Sequence, residues 1–316
     1  MKRIISVFLV LVMIFCLFSG CEIKNKKSGA KIGLAAPAAT HGWVAGVAYY
    51  AEKYCKENGM EYNLTVSADA EEMEKNLDAL VEWGAEAIVL WPQWSGMEDA
   101  VKRITEKNIP VVSFDVDIDC GDVYKVTGNN YEIGYECAEY IVNKVGASAN
   151  IAVLSVPMSG SVSQLRYKGF MDYLNENKYD MRFVTETTTT EFSSEAGYNE
   201  TKYLLEECEK IDAIFAMDDE LSIGAVKAIT ESGRTDVKAI TGGGGMQEYF
   251  KMIADEKYAG LGLASALYSP SMIEDAISSA VDLSTGGTSS KLIVIPTAVV
   301  TAENVSEYID SANTVY

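Results

Sequence analysis

Ala213-Ile214-Phe215-Ala216-Met217-Asp218-Asp219-Glu220, running into Leu221 to Glu231, holds the unit from which the fold is read. A short apolar run is followed by a polar step and then by a stretch with helical periodicity, so a buried strand feeds a helix. Read towards the N-terminus, the unit recurs. Strands are expected at Ile32 to Ala36, Tyr62 to Val66, Ala87 to Trp91, Val111 to Phe114 and Tyr124 to Val126, with helices at Val44 to Asn58, Glu71 to Trp83 and Met97 to Lys107 between them. Met73, Leu77, Leu80 and Val81 fall at helical spacing in the second of these helices, Gly59 and Gly84 stand where a helix should stop, and Pro110 opens the next strand.

The rhythm then restarts. Strands Ile151 to Val156, Arg182 to Glu186, Ala213 to Ala216, Val237 to Ile240 and Leu261 to Ala264 alternate with helices near Ile133 to Lys144, Val162 to Asn175, Ala196 to Glu209, Leu221 to Glu231 and Met246 to Ala254. Repeated strand-helix-strand units imply parallel sheets with helices on both faces. The fold class is therefore α/β: two doubly wound parallel-sheet lobes joined by a multi-crossing hinge. No linker rich in Pro, Gly or Ser separates the halves between Val123 and Asn150, so the chain passes directly from one sheet to the other. The helix near Pro270 to Leu283 and the run Leu292 to Ile295 cross back. The expected first lobe is residues 31–128 with about 268–288, and the second is 129–267 with about 289–316.

Ahead of this body, Lys2 and Arg3 lead into an unbroken apolar run from Val7 to Phe18 and then Ser19-Gly20-Cys21. A basic start, a short apolar segment and small residues before a cut describe a secretory leader over residues 1–20. The segment is shorter than the roughly 20 residues a spanning helix needs. Ser19-Gly20-Cys21 resembles the lipobox of bacterial lipoproteins, with Phe18 where an aliphatic residue is usual. The resemblance implies cleavage before Cys21, acylation of its thiol and a lipid anchor in the membrane, with the polar, lysine-rich stretch to about residue 30 as a tether. The expected location is the outer face of the cell membrane.

The chain carries 26 basic and 46 acidic side chains, and the leader removes Lys2 and Arg3 but no acid, leaving 24 against 46, or −22. Phosphate neutralisation by Lys and Arg supplies most nonspecific nucleic-acid affinity. This balance excludes nucleic acid as a partner. Beyond Cys16 in the leader and Cys21, the cysteines are Cys55, Cys120, Cys137 and Cys208. None lies in a CxxC or CxxH pattern, and a Cys120 to Cys137 disulfide stays open at this level.

In open parallel sheets, ligands collect at the carboxyl ends of strands. Those positions are Thr40 to Trp43, Trp91 to Trp94, Asp115 to Asp117, Asn129 and Asn130, Ser159 to Gln164, Asp218 and Asp219, Gly242 to Gly245, and Tyr268. Aromatic faces suit the C–H face of a sugar ring or a cation, and carboxylates accept from hydroxyl or ammonium groups. The same residues also have plainer roles: Trp43 and Trp91 as core plugs, Asp218 as a helix cap, Asp219 and Glu220 as charges favoured at a helix start. Gly242 to Gly245 lacks the Lys-Ser/Thr that a phosphate loop requires after its glycines, and reads as a turn that clears space.

Enzymatic constellations are missing. There is no GxSxG elbow, no HExxH and no cysteine with a base partner, and the lone His41 cannot support a metal cluster. Asp115 and Asp117 lie on one strand end, whereas paired acids for glycoside hydrolysis must flank the bond from separate positions. No catalytic residue, metal or cofactor is expected.

Ile109-Pro110-Val111-Val112-Ser113-Phe114-Asp115, Gly128-Asn129-Asn130 with Gly134 and Ala138, Arg166 with Gly169-Phe170, and Ala213 to Glu220 with Gly224 and Ala225 together resemble the type I periplasmic sugar-binding proteins related to ribose-binding protein, the solute receptors of ABC importers. The resemblance spans Lys31 to the last residue and implies two lobes joined by three crossings, with ligand enclosed by hinge closure and delivered to permease and ATPase subunits. It places Trp43 where an aromatic stacks on the sugar, and Asp115 and Asn130 where an acid and an amide bind hydroxyls. Trp91, Val116, Gln164, Asp218, Gly243 or its neighbour, and Tyr268 stand where the family carries Asn, Arg, Arg, Asn, Asp and Gln. The general role carries over and ribose itself does not. Loss of two arginines and gain of Asp218 makes the expected cleft more anionic, which opens a second reading: a surface receptor for a cationic or amine-bearing ligand, presented to a sensor kinase or chemoreceptor. The related LacI-type repressors carry an N-terminal helix-turn-helix, and here that place holds the leader and tether. The chain is expected to act as a monomer.

Overall fold

The computed structural model describes residues 29–39, 42–189 and 191–316. The leader, Cys21, the tether through residue 28, Thr40 and His41 lie outside the described residues. Among the described residues no helix is long and apolar enough to cross a membrane.

Strands β1 (Lys31–Pro37), β2 (Glu61–Ser67), β3 (Ala87–Leu90), β4 (Val111–Phe114) and β5 (Tyr124–Gly128) pair in parallel in the order β5-β4-β3-β1-β2. Helices α1 (Gly42–Glu57), α2 (Ala70–Trp83) and α3 (Glu98–Thr105) connect β1 through β4. The second half repeats the plan. Strands β6 (Asn150–Ser155), β7 (Arg182–Thr188), β8 (Ala213–Ala216), β9 (Ala239–Gly244) and β10 (Leu263–Leu267) take the order β10-β9-β8-β6-β7. Helices α4 (Asn130–Val145), α5 (Ser161–Glu176), α6 (Ser194–Glu207), α7 (Asp219–Ser232) and α8 (Gln247–Ala254) accompany it, and α9 (Ile273–Ser284) returns to the first sheet.

Strand β3 shows why the sheet needs helices on both faces. All four of its residues are buried, and because successive side chains alternate, Ala87 and Val89 join one core while Ile88 and Leu90 join another. Met73, Leu77 and Leu80, spaced to form one stripe of α2, are fully buried against that second core. Each such side chain contributes roughly 1.5–3 kcal/mol. The ends of α2 follow from their residues: the Asp69 carboxylate accepts from Glu72 N at 2.8 Å, and Gly84 takes the left-handed conformation (φ 89°) that stops the helix.

The chain crosses between the sheets after β5, after β10, and between β11 (Leu292–Ile295) and β12 (Val299–Thr301). The last crossing corrects the expected boundary near residue 289. Leu292–Ile295 pairs in parallel with β5, Leu292 opposite Lys125, so the chain stays on the first sheet until Ile295 and covers what would otherwise be the exposed edge of β5. β12, which the sequence pattern did not reveal, closes the matching edge of the second sheet but runs antiparallel to β10. The crossing segments lie side by side, with Asn129 N donating to Ile295 O at 3.1 Å and Leu267 N to Ala298 O at 2.9 Å.

The glycine run is a second correction. Gly242, Gly243 and Gly244 belong to β9 and are not a turn. A side chain at Gly242 would collide with the Asp219 carboxylate and Ser222 Oγ, so the strand carries glycine where the start of α7 presses against it. Cys55, Cys120, Cys137 and Cys208 are all free thiols, which closes the disulfide alternative.

Candidate functional site

The ends of β1, β3 and β4 and the second crossing bring four rings of the first lobe together. Trp43, at the start of α1, meets Trp91 edge-on with centroids 5.3 Å apart, lies nearly parallel to Phe114 at 6.1 Å, and packs against Tyr268 at 5.4 Å. Its indole N–H donates to Tyr268 O at 2.6 Å, which fixes the ring's orientation. Trp43 and Trp91 are buried, so both residues belong to the apolar core at this end of the first lobe.

Asp115 follows β4 in the left-handed region (φ 66°), a conformation that Asp tolerates better than most residues. This turn brings its carboxylate to Tyr268. Tyr268 Oη donates to Asp115 Oδ1, Asn130 Nδ2 donates to Tyr268 Oη at 3.1 Å, and Arg166 Nε donates to Asn130 Oδ1 at 2.9 Å. Arg166 Nη1 donates in turn to Met217 O, and its guanidinium lies 5.1 Å from the centre of the Tyr268 ring. A continuous polar chain therefore runs from the first lobe through a hinge residue into the second.

The start of α7 supplies the opposing wall. Asp218 accepts from Leu221 N at 2.8 Å as the helix cap, and Glu220 Oε1 reaches across the lobes to accept from Gly42 N at 3.0 Å. Asp219 is fully buried; its Oδ2 accepts from Gly245 N, Met246 N and Ser265 Oγ at 2.7–2.9 Å, while Oδ1 has no hydrogen-bond partner among the described residues. Burial raises the pKa of Asp115, Asp218, Asp219 and Glu220 above the usual carboxylate range, Asp218 most clearly. The Tyr268 hydroxyl and the Arg166 charge oppose that rise at Asp115. The Trp91 N–H also opposes that rise at Asp115, and it has no hydrogen-bond partner in good geometry among the described residues.

Of the residues expected from sequence, the structure gathers Trp43, Trp91, Asp115, Asn130 and Tyr268 into one cluster and sets Asp218 beside it. Gln164 is not among them. It is exposed, whereas Arg166, two positions further along α5, is buried in the cluster. Two residues are about 200° of helical rotation apart, so the two side chains face opposite ways. Arg166 was legible as an inward charge, since Ser163 and Phe170 mark the buried face of the same helix. Within the glycines, Gly243 faces Ile133 inside the second lobe, and Gly244 borders the cleft. Arg166, buried in the cluster, sets one positive charge beside these acids.

Two doubly wound lobes, three crossings and a cleft lined by rings and hydrogen-bonding groups define a two-lobed binding protein of the type I periplasmic class. The chain belongs to the periplasmic binding protein domain family, whose model matches residues 32–288. It is 27% identical over 270 residues to the ribose import binding protein of Bacillus subtilis, covering 81% of this chain and 86% of that one. Among solved structures it resembles an ABC transporter periplasmic solute binding protein from Actinobacillus succinogenes with bound D-allose (TM-score 0.78, 20% identical, 88% of this chain and 100% of that one). It also resembles the binding component of the arabinose ABC transporter from a Shewanella species, bound to L-arabinofuranose (TM-score 0.78, 23% identical, 88% and 94%).

Proposed function

We propose that this chain is the lipid-anchored, extracytoplasmic solute receptor of an ABC importer and captures a sugar or related polyol between its lobes. The observation that carries this reading is the chain Asp115–Tyr268–Asn130–Arg166 beneath the indoles of Trp43 and Trp91. It offers acceptors, donors and a flat apolar wall within one site, which is what a ring of alternating hydroxyl and C–H groups requires. A ligand held by both lobes stabilises the closed form by its differential affinity for that form. The relatives bind ribose, D-allose and arabinofuranose by their names, and the substituted positions Trp91, Asp218 and Tyr268 argue for a different polyol here.

The test is thermal unfolding of the soluble form with D-ribose, D-allose, L-arabinose, xylitol and myo-inositol, beside native mass spectrometry for a retained ligand. A true ligand at 100 times its Kd contributes about 2.7 kcal/mol, roughly 5 °C for a chain of this size. Absence of any shift and of any retained polyol, with a shift from an amine instead, would replace the sugar reading. The anchor is tested separately: Cys21→Ser should move the protein from the membrane fraction to the soluble fraction.

A further inference from the structure

The cleft already holds a side chain of this protein. Tyr316 is 4% exposed and lies between the lobes. Its Cβ sits where a side chain at Gly46 would reach within 3.0 Å, the edge of its ring passes Gly42, and its hydroxyl occupies the space that a Cβ on Gly244 would need. Gly42 and Gly46 belong to α1 in the first lobe, and Gly244 ends β9 in the second. Three glycines from two lobes thus form a slot the width of a ring.

The segment that delivers the ring is fastened at few points. Residues 309–312 are exposed, and beyond them only Asn313 and Tyr316 are buried. On the second lobe, Gln247 Nε2 donates to Tyr308 O at 3.0 Å and Gln247 Oε1 accepts from Asp310 N at 2.7 Å. On the first, Asn313 Nδ2 donates to Tyr50 Oη at 2.8 Å, while Asn313 Oδ1 accepts from Val315 N and Tyr316 N and so presents the phenol to the slot. It is a strap laid across the cleft with two buried anchors.

We propose that Tyr316 is a built-in occupant of the cleft: it bridges the lobes when no ligand is bound, and a ligand enters by displacing the strap. Tyr316 is then a specificity-determining residue, because only a solute that outcompetes the phenol for the slot between Gly42, Gly46 and Gly244 is retained. The fraction of molecules with the strap released multiplies the intrinsic affinity. The ligand part of this proposal rests on the solute-receptor reading above; the bridging part does not.

Small-angle scattering without any added solute tests the bridging part. Tyr316→Ala should have a larger radius of gyration than the wild-type chain, and Asn313→Ala, which detaches the strap without altering a wall of the cleft, should expand in the same way. Identical scattering from all three proteins overturns the proposal, as does a wild-type chain that is already as expanded as the variants. Calorimetric titration with D-ribose and with myo-inositol tests displacement. For either probe that binds, Tyr316→Ala should bind at least tenfold tighter. Equal or weaker binding means that the phenol is not in the way, and the proposal fails. If neither probe binds any protein, the sugar reading is in question while the scattering result still decides the bridge.

Discussion

The two lobes share a strand order, β2-β1-β3-β4-β5-β11 and β7-β6-β8-β9-β10-β12, yet they are built differently and bring different chemistry to the cleft. The first contributes rings and one acid: Trp43, Trp91, Phe114 and Asp115. The second contributes charge and amide: Arg166, Asp218, Glu220 and Asn130. Packing at the glycines differs as well. In the second lobe, side chains at Gly134, Gly169, Gly197 and Gly224 would run into the backbone of a neighbouring helix, at Arg166, Tyr131, Leu221 and Ser194. In the first lobe, a side chain at Gly33 meets only other side chains, Ile88 and Leu80 among them, at 3.1–3.2 Å. One lobe is locked by backbone approach and the other by side-chain fit. The candidate site is divided between them, so neither half holds all of its residues.

The largest expected effect breaks the packing side of this comparison. Gly134→Ala would set a methyl into the Arg166 carbonyl, and the helix-propensity gain of up to about 1 kcal/mol does not offset the separation of α4 from α5. Urea denaturation should show a loss of more than about 3 kcal/mol, whereas Gly33→Ala in the first lobe should lose about 1–2 kcal/mol. Similar losses would mean that the two lobes are packed alike. Asp115→Asn probes the division of chemistry. Asn accepts the left-handed backbone as Asp does, so unfolding temperature should hold within a few degrees, while affinity for the sugar that stabilises the wild-type protein falls about 10- to 100-fold with the loss of a charged acceptor. Unchanged affinity removes Asp115 from the site.

A smaller effect separates the acids of the cleft from those of the surface. Asp115, Asp218, Asp219 and Glu220 have folded pKa values raised by burial, so the folded state binds more protons than the unfolded one above the ordinary carboxylate value, 3.8 for Asp. Stability from this source is present at the acid end and falls as pH rises through the raised values. Asp236, lowered by its pairing with Arg234, has the opposite sign and loses its contribution only as pH falls below the ordinary value. Thermal unfolding from pH 4 to 8 should therefore decline, and Asp218→Asn, which keeps an acceptor for Leu221 N, should flatten the slope. A slope unaffected by this substitution would assign the decline to surface charge.

The strands were legible because parallel strands buried on both faces read as short apolar runs, and Val111–Phe114, Ala213–Ala216 and Leu292–Ile295 fall where the pattern puts them. β12 escaped because three residues carry too little pattern. Gly242 to Gly244 misled because glycine is a turn residue by type, and only the neighbouring Asp219 and Tyr316 explain its place in a strand. Arg166 was within reach of helical phase, which separates it from Gln164. Tyr316 was not, because its partners Gly42 and Gly46 lie some 270 positions away and no local spacing encodes such a contact. Candidate residues on strand ends can be proposed from a sequence; what fills the space between them cannot.

One apolar cluster runs unbroken from Val44 and Phe114 of the first lobe, through Tyr268 and Tyr316, to Ile133, Phe170 and Phe215 of the second. Opening the cleft therefore wets nonpolar surface, and exposure of such surface raises heat capacity. Separation of the lobes then carries its own curved temperature dependence, distinct from that of unfolding. A balance between shut and open forms, as the proposed capture of a solute requires, would shift with temperature even when no solute is present.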